Sequence, residues 1–87
     1  MALPRTTLEQ WVVLQTVIEQ GSFAQAATVL NRSQSSVSYA LSGLQERLGL
    51  PLLEITGRKA ALTEQGRALL AQAAPLISSF LQLEHRA

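Results

Sequence analysis

Between Ser33 and Glu46 the chain sets polar side chains at spacings of three and four residues: Ser35, Ser38, Tyr39, Ser42 and Glu46, with Gln34 just ahead. At about 100° per residue these fall along one side of a helix, and Val37, Ala40, Leu41, Leu44 and Leu48 fall along the other. Hydroxyls and a carboxamide both donate and accept hydrogen bonds, so the outer side suits base edges and phosphates of a duplex; glutamine pairs best with adenine. The same side chains also suit plain exposure to solvent. What frames the helix therefore decides between the two readings.

The frame is a second short helix and a tight turn. Ser22 is placed to cap a helix start, and Gln25 three residues on completes a capping-box pattern. Ala24, Ala26 and Ala27 are small enough to let another helix come close, and Val29 and Leu30 close the segment. Asn31 tolerates the left-handed conformation that ends helices, Ser33 caps the next helix, and only Asn31 and Arg32 are left for the turn. Two helices joined this tightly predict a helix-turn-helix, with the second, at about 33–48, entering the major groove by its N-terminal end. The candidate DNA contacts here are Ser22, Gln25, Arg32, Ser33, Gln34, Ser35, Ser38, Tyr39 and Ser42.

Three further elements must hold that pair. Thr6-x-x-Glu9 or Thr7-x-x-Gln10 starts a first helix whose buried stripe is Leu8, Trp11, Leu14, Val17 and Ile18, ending near Gly21. After Gly49 and Pro51, Leu52-Leu53-Glu54-Ile55 and Ala60-Ala61-Leu62 flank Thr56-Gly57-Arg58-Lys59, which predicts a small hairpin presenting Arg58 and Lys59 at its tip. A basic wing beside a groove-reading helix lies near phosphates or the adjacent minor groove; a merely solvated basic turn is the other reading. Thr63 then caps a last helix from about Glu64 to Glu84. Leu69, Ala73, Leu76, Phe80 and Leu83 follow heptad spacing, and Leu70, Ala74, Ile77 and Leu81 form a second stripe beside them. One small domain covers one apolar face, so the other predicts a homodimer through Leu69, Ala73, Leu76, Phe80 and Leu83. Pro75 inside this helix removes a hydrogen bond at a cost of about 3 kcal/mol, which predicts a kink or break near Gln72 to Ala74.

The run Gly21-Ser22-Phe23, Ala26-Ala27, Leu30-Asn31, Ser33-Gln34-Ser35, Val37-Ser38, Leu44-Gln45-Glu46, Leu48-Gly49, Pro51-Leu52-Leu53, Thr56-Gly57-Arg58, Leu62-Thr63 and Gly66 resembles the N-terminal DNA-binding domain of LysR-type transcriptional regulators. The match extends from about Leu8 into the last helix. The resemblance implies an all-α fold with a small β-hairpin: a winged helix-turn-helix at 1–62 and a long linker helix at 63–87 that dimerises by antiparallel packing. It further implies a bacterial, cytoplasmic regulator with a larger effector-binding domain after the helix, so that a small-molecule effector acts only through that absent domain. It also allows higher oligomers in the full-length protein. The chain departs from the family pattern in three places. Leu53-Glu54-Ile55 stands where Phe-x-Arg is usual, Ser35 where proline is frequent, and Tyr39 where a basic or small polar residue is common.

Composition sets the remaining bounds. Eighty-seven residues with 47% hydrophobic content make one small domain with a marginal core, helped by oligomerisation. With no cysteine there is no disulfide framework or thiolate metal site, and the lone His85 has no partner at ligand spacing, so neither metal nor cofactor is expected. No apolar run approaches the roughly 20 residues that span a bilayer. The opening MALPRTTLEQ lacks the apolar core of a signal peptide, which points to the cytoplasm and away from membranes. No nucleophile-histidine-carboxylate cluster, phosphate loop or acid pair marks an enzyme. The formal charge is only +1, with the excess in the middle third: Arg32, Arg47, Arg58 and Lys59 against Glu46 and Glu54. Few cations mean weak phosphate neutralisation by one copy, so a dimer's two sets of contacts are expected. The low charge also keeps open a winged helix that binds another protein instead of double-stranded promoter DNA.

Overall fold

The structure, a computed structural model, describes residues 2–87; of the opening segment, Met1 lies outside it. Four helices and one hairpin follow in the order α1 (Leu8–Gln20), α2 (Phe23–Leu30), α3 (Gln34–Leu48), β1 (Leu53–Thr56), β2 (Lys59–Leu62) and α4 (Glu64–Arg86). Each helix starts at a hydroxyl cap. Of the two frames open for α1, the chain uses Thr7: its Oγ1 accepts from the Gln10 N–H at 3.1 Å, and its own N–H donates to Gln10 Oε1 at 2.9 Å. The Thr6 hydroxyl instead accepts from Trp11 Nε1 at 3.0 Å, which satisfies the indole while its ring packs against the core.

At α2 the capping box expected from Ser22 and Gln25 is only half made. Ser22 Oγ accepts from the Gln25 N–H at 3.1 Å, but the Gln25 carboxamide stays exposed and makes no return bond among the described residues. The turn behaves as the sequence predicts. Asn31 adopts φ 57°, ψ 48°, Arg32 N–H donates to Ala27 O at 2.9 Å, and Ser33 Oγ accepts from the Ser36 N–H at 3.1 Å.

The core lies where α1, α2 and α3 cross. Leu14, Val17, Ala26, Val37, Leu44 and Leu52 have no accessible surface, and Val13 and Leu41 have almost none. Burying side chains of the Leu and Val class contributes about 1.5–3 kcal/mol each. Val13 lies outside the stripe predicted for α1: with α2, α3 and α4 all packed on it, this helix buries a wider face than an amphipathic pattern reveals.

The hairpin pairs Leu53 with Leu62 and Thr56 with Lys59, closing through the two residues Gly57 and Arg58. Gly57 carries φ +64°, while no described residue but Asn31 combines a side chain with positive φ. That matches a two-residue turn with glycine at its first position. Lys59 is thus the first residue of β2 and not part of the tip, since its pairing with Thr56 draws it into the ladder.

Thr63 ties wing to helix. Its hydroxyl donates to Pro51 O at 2.7 Å and accepts from the Gly66 N–H at 3.0 Å, while its own N–H donates to Leu52 O at 3.0 Å. From there α4 runs 23 residues without interruption, so the break expected near Gln72 to Ala74 is absent. Pro75 and Ala71, whose carbonyl loses its donor, are both exposed, and water can take the place of the missing bond. The helix divides along its length. Thr63, Gly66, Ala73 and Ile77 are buried on the protomer, whereas every residue from Ser78 onward is exposed.

Gly66 is where α4 touches the wing most closely. A Cβ on it would stand 1.9 Å from Leu52 O, a backbone atom held by Thr63 and unable to yield cheaply. Gly66→Ala, a stabilising change in an ordinary helix interior, is therefore expected to lower stability by about 1–3 kcal/mol. A thermal melt followed by circular dichroism checks this, and an unchanged or raised midpoint would contradict it.

Candidate nucleic-acid interface

Three segments converge on one side of the molecule: the start of α2, the start of α3 and the wing turn. Ser22, Gln25, Gln34, Ile55 and Arg58 line an open concavity of about 680 Å³ between them. The wing is fixed there by two anchors. Ala60 N–H donates to Gly21 O at 3.1 Å, joining β2 to the α1–α2 turn. At its other end Gln45 of α3 accepts through Oε1 from the Leu52 N–H at 2.8 Å and the Leu53 N–H at 3.4 Å, while its Nε2 donates to Leu41 O at 3.2 Å. Gln45 thus ties the base of the wing to α3.

The outer face of α3 is free. Gln34, Ser35, Ser38, Tyr39, Ser42 and Glu46 are all exposed, Tyr39 at 83%. Among the described residues Gln34, Ser38, Tyr39 and Ser42 make no side-chain hydrogen bond, so their donors and acceptors are available to an outside partner. Ser33 and Ser35 are less free: the Ser33 hydroxyl serves the cap and lies 3.1 Å from Ser35 Oγ. Ser22 is likewise spent on its cap. The N-terminal ends of α2 and α3 both face the concavity, adding the partial positive charge of unpaired N–H groups to that of Arg58. Lys59 stands one residue behind Arg58 and is exposed.

Arg32 does not point freely outward. Its Nη1 and Nη2 reach Glu9 Oε1 and Oε2 at 3.1 and 3.0 Å, a two-point pair across from the first turn of α1. The hydrogen bond and then the charge of Arg32 hold the Glu9 carboxyl below the usual glutamate range, and Glu9 in turn raises the guanidinium.

The five residues expected to meet a second copy separate into two groups. Ala73 is buried within the protomer and Leu69 is half-buried against the core, so both are already covered in part by α1 and its neighbours. Leu76, Phe80 and Leu83 are 67%, 42% and 64% exposed, and Leu81 from the adjoining stripe is 57% exposed. Between α1 and α4 an apolar groove lined by Leu8, Trp11, Leu69, Ala73 and Leu76 continues this surface. Among the described residues no three His, Asp or Glu side chains come together as a metal site would require, and no helix is long and apolar enough to cross a membrane.

Two residues with clear roles escape sequence reasoning. Gln45 carries a signal: it is a polar residue beside the inward stripe Leu41–Leu44–Leu48, where a side chain that bonds backbone is expected. Glu9 carries none, because its partner lies 23 residues away.

Residues 8–67 match the model of the bacterial regulatory helix-turn-helix proteins of the lysR family. A protein described as a probable RuBisCO transcriptional regulator of Gracilaria tenuistipitata var. liui is 41% identical over 64 residues, covering 74% of this chain and 21% of that protein. Among solved structures, a hydrogen peroxide-bound mutant of OxyR from Corynebacterium glutamicum superposes with a TM-score of 0.87 at 36% identity, over 92% of this chain and 25% of that one. The BenM DNA-binding domain in its complex with catB site 1 DNA gives 0.86 at 30% identity, over 93% of this chain and 91% of that one. The chain spans only about a fifth to a quarter of the length of the curated relatives it matches, 21%, 19% and 27% in three of them. With the family model covering most of its length, this chain belongs to the LysR family of bacterial regulatory helix-turn-helix proteins.

Proposed function

We propose that this chain is a sequence-reading module for double-stranded DNA in a cytoplasmic transcription regulator, acting as a homodimer with one α3 per half-site. The observation that carries the reading is the free polar face of α3 beside a wing whose exposed turn residue is Arg58. An ordinary solvent-facing helix has no need of a wing bound rigidly to it through Gln45. Likeness to a DNA complex of the same family over nearly the whole chain supports the same reading.

Within it, Gln34 reads a base from the first turn of α3, with its carboxamide suited to the N6 and N7 edge of adenine. Ser38 and Ser42 lie further along the same face, and Tyr39 offers a ring to sugar or to a thymine methyl. Arg58, with Lys59 behind it, meets the backbone or the adjacent minor groove, where negative potential favours arginine. Ser22 and Ser33 act through the helix starts they cap, bringing N–H groups toward phosphate. The departure at Glu54 and Ile55 removes a cation from the base of the wing, which leaves Arg58 with a larger share of the backbone contact.

The dimer is supported by the exposed apolar end of α4. Leu76, Phe80 and Leu83 repeat at four and three residues on the exposed side of α4, Phe80 and Leu83 lying beyond Ile77, the last residue the protomer buries, and an isolated helix end gains little stability by itself.

Two experiments test this reading. With a promoter duplex, log K should fall linearly with log salt for the wild type. Gln34→Ala should relax base preference at one position by about 1–3 kcal/mol, whereas Arg58→Ala should weaken all sequences alike and reduce the salt slope by about 1 per protomer. A salt-independent affinity, or identical sequence-blind losses from both variants, would contradict the roles assigned. Separately, Phe80→Glu should convert the dimer into a monomer in analytical ultracentrifugation and lower duplex affinity roughly a hundredfold. A dimer that survives the change would place the interface elsewhere.

A further inference from the structure

The ion pair between Arg32 and Glu9, the one such pair among the described residues, sits at the edge of the proposed DNA-facing surface. Arg32 occupies the turn directly before the Ser33 cap, so its backbone lies next to the helix end that enters the groove. No other cation belongs to that turn, although Arg58 faces the start of α3 across the concavity. Arg47, near the far end of α3, donates to Arg5 O at 3.2 Å, and Arg58 and Lys59 belong to the wing. Yet the Nη1 and Nη2 groups of Arg32 are both engaged by a carboxylate whose two oxygens present the paired acceptors a backbone phosphate would present. Both partners remain accessible, at 31% and 65% of their side-chain surfaces, so neither is locked by burial.

We infer that Glu9 is an internal stand-in for phosphate: it occupies Arg32 in the free protein, must be displaced when Arg32 meets the DNA backbone, and thereby lowers sequence-blind affinity. The inference rests on the proposed duplex-binding role. Its physical basis is competition for one guanidinium edge between two oxyanions. DNA that is not the target gains little from base contacts and depends on phosphate neutralisation, so a competitor for phosphate takes away a larger share of that binding than of the specific complex. The chain holds seven Lys and Arg residues, of which Arg32, Arg58 and Lys59 lie in the turn before α3 and in the wing, so one of them withheld is a sizeable part of the local total. The depressed Glu9 carboxyl agrees with a pair formed at neutral pH: its contribution is present above the ordinary glutamate range and is lost only as pH falls through the lowered value.

The test is a double-mutant cycle on a fluorescently labelled duplex of random sequence, followed by anisotropy across a salt series, using wild type, Glu9→Gln, Arg32→Ala and the double variant. Glu9→Gln should bind about threefold more tightly per protomer at low salt, the gain shrinking as salt screens the pair in the wild type. Arg32→Ala should bind more weakly with a shallower salt slope, and Glu9→Gln should change nothing in the Arg32→Ala background. Weaker binding by Glu9→Gln would overturn the inference, since Glu9 would then aim Arg32 at the backbone. An equal gain with and without Arg32 would also overturn it, because Glu9 would then act only by its own repulsion. No change in a wild type that binds the duplex removes this inference alone, whereas a wild type that ignores the duplex removes the DNA-binding role with it. Circular dichroism melts of the variants confirm that the comparison is between folded proteins.

Discussion

The geometry of the molecule depends on how Leu52 is held. Its N–H goes to the Gln45 carboxamide on α3, its carbonyl accepts from Thr63 at the head of α4, and its side chain is fully buried. One residue therefore joins α3, the wing and α4 through contacts from three directions. Backbone hydrogen bonds in such a partly buried place are costly to leave unmade, so the joint resists bending. Gly66 is part of the same constraint: only a residue without a side chain lets α4 pass so close to the Leu52 carbonyl. The wing, four residues on each side of its turn, could not stand by itself; the bonds to Gln45 and to Gly21 make it rigid enough to aim Arg58.

Charge is used sparingly on this scaffold. The surface around α3 is mainly hydroxyl and amide, with cations confined to the turn before it, its far end and the wing. Arg32 is paired with Glu9, and the departure at Glu54 adds another carboxylate to β1. Under the proposed DNA-binding role, a surface of this sort draws little from phosphate attraction and relies on hydrogen bonds to bases and on a second copy. The proposed dimer meets the second need through the apolar end of α4, where Leu76, Leu81 and Leu83 are more than half exposed in the protomer.

Local signals made most of this legible from the residues alone. Caps at Ser22, Ser33 and Thr63, the left-handed Asn31, and the stripe from Val37 to Leu48 are set by neighbours within a few positions, and the structure follows them. What was hidden depends on distant partners. Nothing near Glu9 announces Arg32, and Val13 is buried because α1 is surrounded by three helices, which periodicity in one helix does not encode. The five-residue seam of α4 looked uniform because heptad spacing is blind to where the protomer ends. Pro75 was read by its usual effect in a helix interior, whereas α4 continues unbroken through it and exposure of its turn lets solvent replace the lost bond. The exposure of Gln34, Ser38, Tyr39 and Ser42 follows the spacing of the α3 stripe, and the base contacts proposed for them rest on that exposure and on their chemistry.

The central claim is that α3 presents its outer face to a duplex while the wing turn meets the same molecule of DNA. Amide chemical-shift mapping with a titrated duplex tests it most directly. The account predicts the largest changes at Gln34, Ser38, Tyr39 and Ser42 together with Gly57 and Arg58, and little change along the α1–α4 groove. Changes concentrated at Trp11, Leu69 and Leu76, with α3 silent, would contradict it.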